Sequence, residues 1–116
     1  MNENTPKPPS HLSSEARAWF VQVCELYLLE SHHLKLLQAA AEARDRAQLS
    51  RRTIKREGAF YTNRFGAPKA HPALDQERKA RNDFRLLVRE LGLDSAPATE
   101  VRAPGPPANA NLRLHG

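Results

Sequence analysis

Disulfide chemistry is closed to this chain, because Cys24 is its only cysteine. That excludes a disulfide scaffold and a four-cysteine zinc site, and it fits a reducing compartment. Long apolar runs are missing too. The longest, such as Ala18-Trp19-Phe20-Val21 and Leu26-Tyr27-Leu28-Leu29, fall far short of the ~20 residues that cross a bilayer. The opening residues, Met1-Asn2-Glu3-Asn4-Thr5-Pro6, are polar and lack the apolar core of a signal peptide. No glycine-rich phosphate loop is present, and no Ser/His/Asp or Cys/His set has local support. His32 and His33 are adjacent, so on a helix they point apart and do not chelate as an i,i+4 pair does. The expectation is a soluble, cytoplasmic protein that is not an enzyme and carries no metal or cofactor.

Helix breakers are scarce where it matters. Seven of the nine prolines lie before residue 10 or after residue 96, and residues 10–57 and 73–91 hold neither Pro nor Gly. Those two stretches are where helices can run. Ser13 and Ser14 ahead of Glu15 read as an N-cap with an acidic first turn. Ala16, Trp19, Phe20, Val23, Leu26 and Tyr27 then recur at steps of three and four, predicting a first helix over about 14–29. The polar Glu30-Ser31-His32-His33 reads as a corner or a frayed turn. A second helix follows over about 34–57, with Leu36, Leu37, Ala40, Ala43, Ala47 and Ile54 as its stripe, closed by Gly58 as a left-handed cap. At 1.5 Å per residue it is roughly 36 Å long, and its alanines invite a close neighbour, here expected to be another subunit.

Residues 59–71 contain Asn63 and Gly66 at the first and fourth places of a type I turn, which predicts a short loop or β-hairpin. Phe60, Tyr61 and Phe65 are expected mainly to pin that segment to the helices. His71 and Pro72 open a third helix, with Ala73, Ala80, Phe84, Leu87, Val88 and Leu91 as its stripe; Gly92 ends it and Leu93 packs behind it. The fold class expected is therefore all-α: a three-helix domain over 13–93, between a flexible arm over 1–12 and a disordered tail over 94–116.

Charge is what the chain has in one place only. Residues 50–72 hold Arg51, Arg52, Lys55, Arg56, Arg64 and Lys69 against Glu57 alone, so they carry the whole formal net charge of +5. Elsewhere the two signs balance at twelve each. Cations near a helix C-terminus also complement its dipole, but Arg64 and Lys69 lie beyond the helix among aromatics. The six are the candidate DNA-binding residues, with phosphates as partners and a salt slope of about −5 if each meets one phosphate. The acidic and basic residues of the third helix read as a solvated face.

The order of these features resembles a known family. Pro9-Ser10-His11-Leu12-Ser13 leads into Glu15-Ala16-Arg17-Ala18-Trp19; a long second helix reaches Glu57-Gly58; Lys69-Ala70-His71-Pro72-Ala73-Leu74 opens the third, which closes on Glu90-Leu91-Gly92-Leu93. Over residues 8–96 this is similar to the small terminase subunits of tailed phages and prophages. The resemblance implies a non-catalytic component that assembles into a ring in the bacterial host. It further implies binding of double-stranded viral DNA at the packaging start and regulation of the large ATPase–nuclease subunit. His32-His33 departs from the acidic residue frequent there, and Asp94-Ser95-Ala96-Pro97 replaces a Pro-x-Ser-Arg run. Two other readings compete: a small repressor-like DNA-binding regulator and a protein-binding adaptor. Against the repressor stands the apolar start of the second helix, Leu34-Lys35-Leu36-Leu37, poorly suited to reading bases.

Overall fold

The computed structural model describes residues 6–93. The expected disordered tail over 94–116, and the first five residues of the expected arm, lie outside the described residues. Three helices and one small hairpin follow in order: α1 (Ser14–Leu26), α2 (Ser31–Glu57), β1 (Phe60–Thr62), β2 (Pro68–Ala70) and α3 (Pro72–Glu90). The all-α architecture, with a two-stranded ribbon between the second and third helices, is the one the sequence implies. No helix among the described residues is long and apolar enough to cross a membrane.

α1 starts where its cap is tied down. Ser13 Oγ accepts the Ala16 N–H at 3.1 Å and donates to Asp45 Oδ1 at 2.6 Å, while the Ser13 N–H donates to Asp45 Oδ2 at 2.8 Å. One serine thus caps α1 and fastens it to the middle of α2. Leu12 is buried beside Ala16 and Ala41 and His11 reaches Glu42 at 2.7 Å, so the last two residues of the expected arm over 1–12 belong to the packed domain.

The helix ends three residues before the periodicity suggests. Tyr27 is extended, with φ −134° and ψ 146°. In an extended segment side chains alternate: Tyr27 and Leu29 pack on the core while Leu28 is 60% exposed. Helical continuation would not place Tyr27 and Leu29 inward together. α2 correspondingly begins early. Glu30 is its N-cap, and His33 Nδ1 accepts the Glu30 N–H at 3.1 Å in a reciprocal capping box. His32 and His33 are therefore first-turn residues of α2, not a corner.

α2 and α3 are antiparallel. Arg51 pairs with Glu77 at 3.1 Å and Arg46 with Asp83 at 3.6 Å, so numbering rises along one helix as it falls along the other. Ala40, Ala41, Ala43, Ala47, Ala73 and Ala80 are all buried. The alanines of α2 are thus consumed within the chain, correcting the expectation that they face another subunit. At one end Phe20, Val23, Tyr27, Leu37 and Leu91 form the larger core cluster. Trp19 reaches α3 there, its ring centroid 5.3 Å from that of Phe84. A Schellman cap closes α3: Gly92 at φ 73° lets its N–H reach Arg89 C=O and the Leu93 N–H reach Val88 C=O, both at 3.0 Å. Gly58 differs from the expected left-handed cap. Its φ of 89° is paired with ψ 159°, a combination open essentially to glycine alone, which sends the chain straight from α2 into β1.

Enlarging the alanine seam tests this packing. Ala80→Leu is expected to destabilise the fold by about 1–3 kcal/mol through overpacking, read as a lower urea midpoint at unchanged slope. Gln76→Ala, at an exposed position of the same helix, should stay within about 0.5 kcal/mol of the wild type.

Candidate nucleic-acid interface

The six candidate cations fall on two elements, and their surroundings divide them. Arg51 is occupied: Nη2 meets Glu77 at 3.1 Å and Nη1 donates to Gln48 Oε1 at 3.0 Å. Arg56 pairs with Glu57 at 2.7 Å. Arg64 lies at the hairpin tip with its guanidinium carbon 4.8 Å from the Phe65 ring centroid, a cation–π contact that leaves its N–H groups to water. Arg52 and Lys55 on α2 and Lys69 on β2 are exposed and make no ion pair among the described residues. These last three are the cations most available to an anion.

Arg51 and Arg52 open onto a surface cleft of about 390 Å³ between the start of α1 and the flank of α2. Arg44, Gln48 and His11 line it too. Sequence reading missed Arg44, although Arg44, Gln48 and Arg51/Arg52 recur at helical spacing and so share one face. Glu15 and Asp45 also border the cleft; both Asp45 oxygens are engaged by Ser13, while Glu15 leaves one exposed carboxylate there. A second basic recess, about 230 Å³, lies on α3 between Arg78, Arg81, Asn82 and Arg85. Its signal was equally present as an i, i+3, i+4, i+7 set, masked by Asp75 and Glu77 just before it and Asp83 within it. Asp75 holds Arg78 at 2.6 Å, Glu77 holds Arg81 at 3.4 Å, and Arg85 donates to Asn82 at 2.8 Å.

The hairpin is shaped by its turn. Asn63 Oδ1 accepts the N–H groups of Phe65 at 2.9 Å and Ala67 at 3.0 Å, and Gly66 takes φ 79°. The strands pair Phe60 with Ala70, Tyr61 with Lys69 and Thr62 with Pro68. Contrary to expectation, the aromatics do not pin the segment: Phe60 is 67%, Tyr61 49% and Phe65 78% exposed. What holds the hairpin is its base. The His71 N–H donates to Ala59 C=O at 2.8 Å, His71 Nδ1 accepts the Ala73 N–H at 3.0 Å, and Nε2 meets Glu57 Oε1 at 3.0 Å. His71 therefore caps α3, as its place before Pro72 suggests, and also locks the end of α2 to the start of α3.

Other titratable groups have structural explanations. Burial, then the neighbouring Glu25 charge, pushes the Cys24 thiol up to about 11, so it is not a thiolate at neutral pH. The donor atoms of Glu30, His32 and His33 lie within 4.8 Å of one another. Contrary to the expectation that they point apart, the His32 and His33 ring centroids are 4.0 Å from each other. The three residues form the start of α2, where the capping box uses Glu30 and His33, His32 lies 3.6 Å from Glu30, and the helix dipole disfavours a cation.

The family model for the phage terminase small subunit matches residues 16–108 of this chain. No curated protein and no solved structure matches it.

Glu57 gives the clamp a pH signature. Its carboxyl is held below the ordinary 4.5 by the Arg56 hydrogen bond first and the His71 bond second. A lowered carboxyl pKa stabilises the fold above the ordinary value, and that contribution is lost as the pH falls through the folded-state pKa. A ¹³C carboxyl titration is expected to place Glu57 below 4.5. Glu57→Gln should speed exchange of the His71 amide at neutral pH, a difference from wild type that shrinks in acid.

Proposed function

The chain belongs to the phage terminase small-subunit family, which places it in phage DNA packaging, and on that premise we propose that it binds duplex DNA at the packaging start through a surface joining the flank of α2 to the hairpin. Arg44, Arg52, Lys55 and Lys69 supply the free cations of that surface. The observation that carries this reading is their availability in one place: these four make no ion pair among the described residues and follow one another along a face of α2 and onto the adjoining ribbon. Arg46, Arg51, Arg56, Arg78, Lys79 and Arg81, by contrast, are answered by carboxylates. Phosphates are the partners such groups suit, since each contact releases condensed counterions. Arg51 takes a positioning part instead, holding α2 to α3 through Glu77.

The subunit acts without chemistry of its own and regulates the large ATPase–nuclease subunit. Family membership supports this, and the raised Cys24 pKa agrees with it. It works as a homo-oligomer, most simply a ring. With the alanines of α2 already buried, the support for self-assembly shifts to leucines left exposed: Leu28 at 60%, Leu49 at 63% and Leu86 at 45%. Native mass spectrometry returning only a monomer, with and without DNA, would remove this part of the reading.

The electrostatic mode has a quantitative test. Arg44→Ala/Arg52→Ala/Lys55→Ala is expected to flatten the plot of log affinity against log salt by about three, at roughly 0.9 per phosphate contact, and to weaken all duplex sequences alike. Arg51→Ala should differ, leaving the salt slope close to that of the wild type, because its guanidinium is already held by Glu77 and Gln48. Wild-type binding that ignores salt would rule the mode out.

A further inference from the structure

The hairpin is the one element whose exposure the fold does not explain. All six strand residues face solvent, and a two-stranded ribbon of this length has little stability by itself. Yet it is held at both ends, by the Asn63 turn and the His71 base. A braced ribbon that leaves Phe60, Tyr61 and Phe65 in water marks a contact surface rather than a spare loop.

Its chemistry narrows the partner. Gly58 to Leu74 contains no acidic residue, while Arg64 and Lys69 stand among the aromatics. Lys69 is directly opposite Tyr61, and the Arg64 guanidinium lies over the Phe65 ring. Ring and charge therefore arrive together at the tip. A partner matching that pairing presents negative charge beside apolar contact points, which describes phosphates beside the thymine methyl groups that line the major groove. The dimensions agree, because the major groove, about 12 Å wide, admits a two-stranded ribbon.

We propose that the β1–β2 hairpin enters the major groove of duplex DNA with Phe65 leading, its ring against base edges while Arg64 and Lys69 hold flanking phosphates. The inference rests on the DNA-binding reading above. It adds a base-contacting part to what would otherwise be a purely electrostatic grip.

Slope and intercept of a salt series separate the two parts. Binding of the full chain to a mixed-sequence, fluorescein-labelled duplex is followed by anisotropy at increasing KCl. Phe65→Ala is expected to weaken binding about tenfold at every salt concentration with an unchanged slope, as loss of an uncharged apolar contact to base edges should. Arg64→Ala should instead reduce the slope by about one. Phe65→Trp should keep the affinity, and its emission should be quenched by DNA beyond the Trp19 background of the wild type. Residue 65 is 78% exposed, so none of these changes should move the melting temperature. Wild-type affinity in Phe65→Ala, alongside salt-dependent binding by the wild type, overturns the hairpin proposal and leaves the DNA reading standing. Phe65→Ala that changes the oligomer mass but not the affinity also overturns it, reassigning the ribbon to a protein contact. A wild type that shows no salt-dependent binding overturns the DNA reading, and the hairpin proposal with it.

Discussion

Everything in this domain depends on how closely α2 and α3 approach. Small side chains at Ala40, Ala43 and Ala47 on one helix, and Ala73 and Ala80 on the other, are all buried, which large residues there would prevent. Close helices bury backbone-near atoms at high packing density, so the seam is sensitive to a single added side chain. Two cross-helix ion pairs, Arg46–Asp83 and Arg51–Glu77, border it. Exposed pairs contribute little to stability, and Glu77, the least exposed acid of the two, is the one that also reaches Arg81. Their stronger role is directional, since they discriminate the antiparallel register that brings residues 57 and 72 together.

That register makes the hairpin possible. A short ribbon cannot fold alone, but one whose two ends are delivered to adjacent points needs only a turn and a clamp. Asn63 and Gly66 provide the turn, and Glu57, His71 and Pro72 the clamp. The clamp joins helix C-terminus to helix N-terminus through one imidazole whose two nitrogens have opposite roles, Nδ1 accepting and Nε2 donating. Hairpin position is thus inherited from helix packing. Mutations in the alanine seam should act on the hairpin as well as on stability, because the same approach sets both.

Much of this was legible in the chain, and the failures are physical rather than random. The end of the second helix and both ends of the third could be bounded well because Gly58, Pro72 and Gly92 punctuate them, and glycine and proline act on the backbone whatever the tertiary context. The α1–α2 connection was misread because nothing punctuates it. Tyr27-Leu28-Leu29 suits helix and extended chain equally, and only the core decides. The hairpin was half legible: Asn63 and Gly66 announced its turn, while the exposure of Phe60, Tyr61 and Phe65 contradicted the usual tendency of aromatics to bury. The six cations were identified by sequence density. Density could not tell that Arg51 and Arg56 are already paired, or that Arg44, seven residues upstream on the same face, is not.

The contrast between those cations carries the functional argument further than their number does. A helix flank with paired arginines is a structural surface, since carboxylates already occupy the donors an anion would use. A flank with free cations is a different object, because its self-repulsion costs stability that only a polyanion returns. Arg44, Arg52 and Lys55 lie on α2, and Lys69 lies past the end of α2 on an acid-free ribbon whose aromatics are also unsatisfied by the fold. Two kinds of unmet surface, charged and apolar, therefore meet around the α2–α3 connection. A purely acidic protein partner would answer the first and not the second, and an apolar subunit interface the reverse. In the proposed mode duplex DNA would answer both, with phosphates for the helix flank and base edges for the ribbon, and a fold that clamps the ribbon to that flank presents both in fixed order.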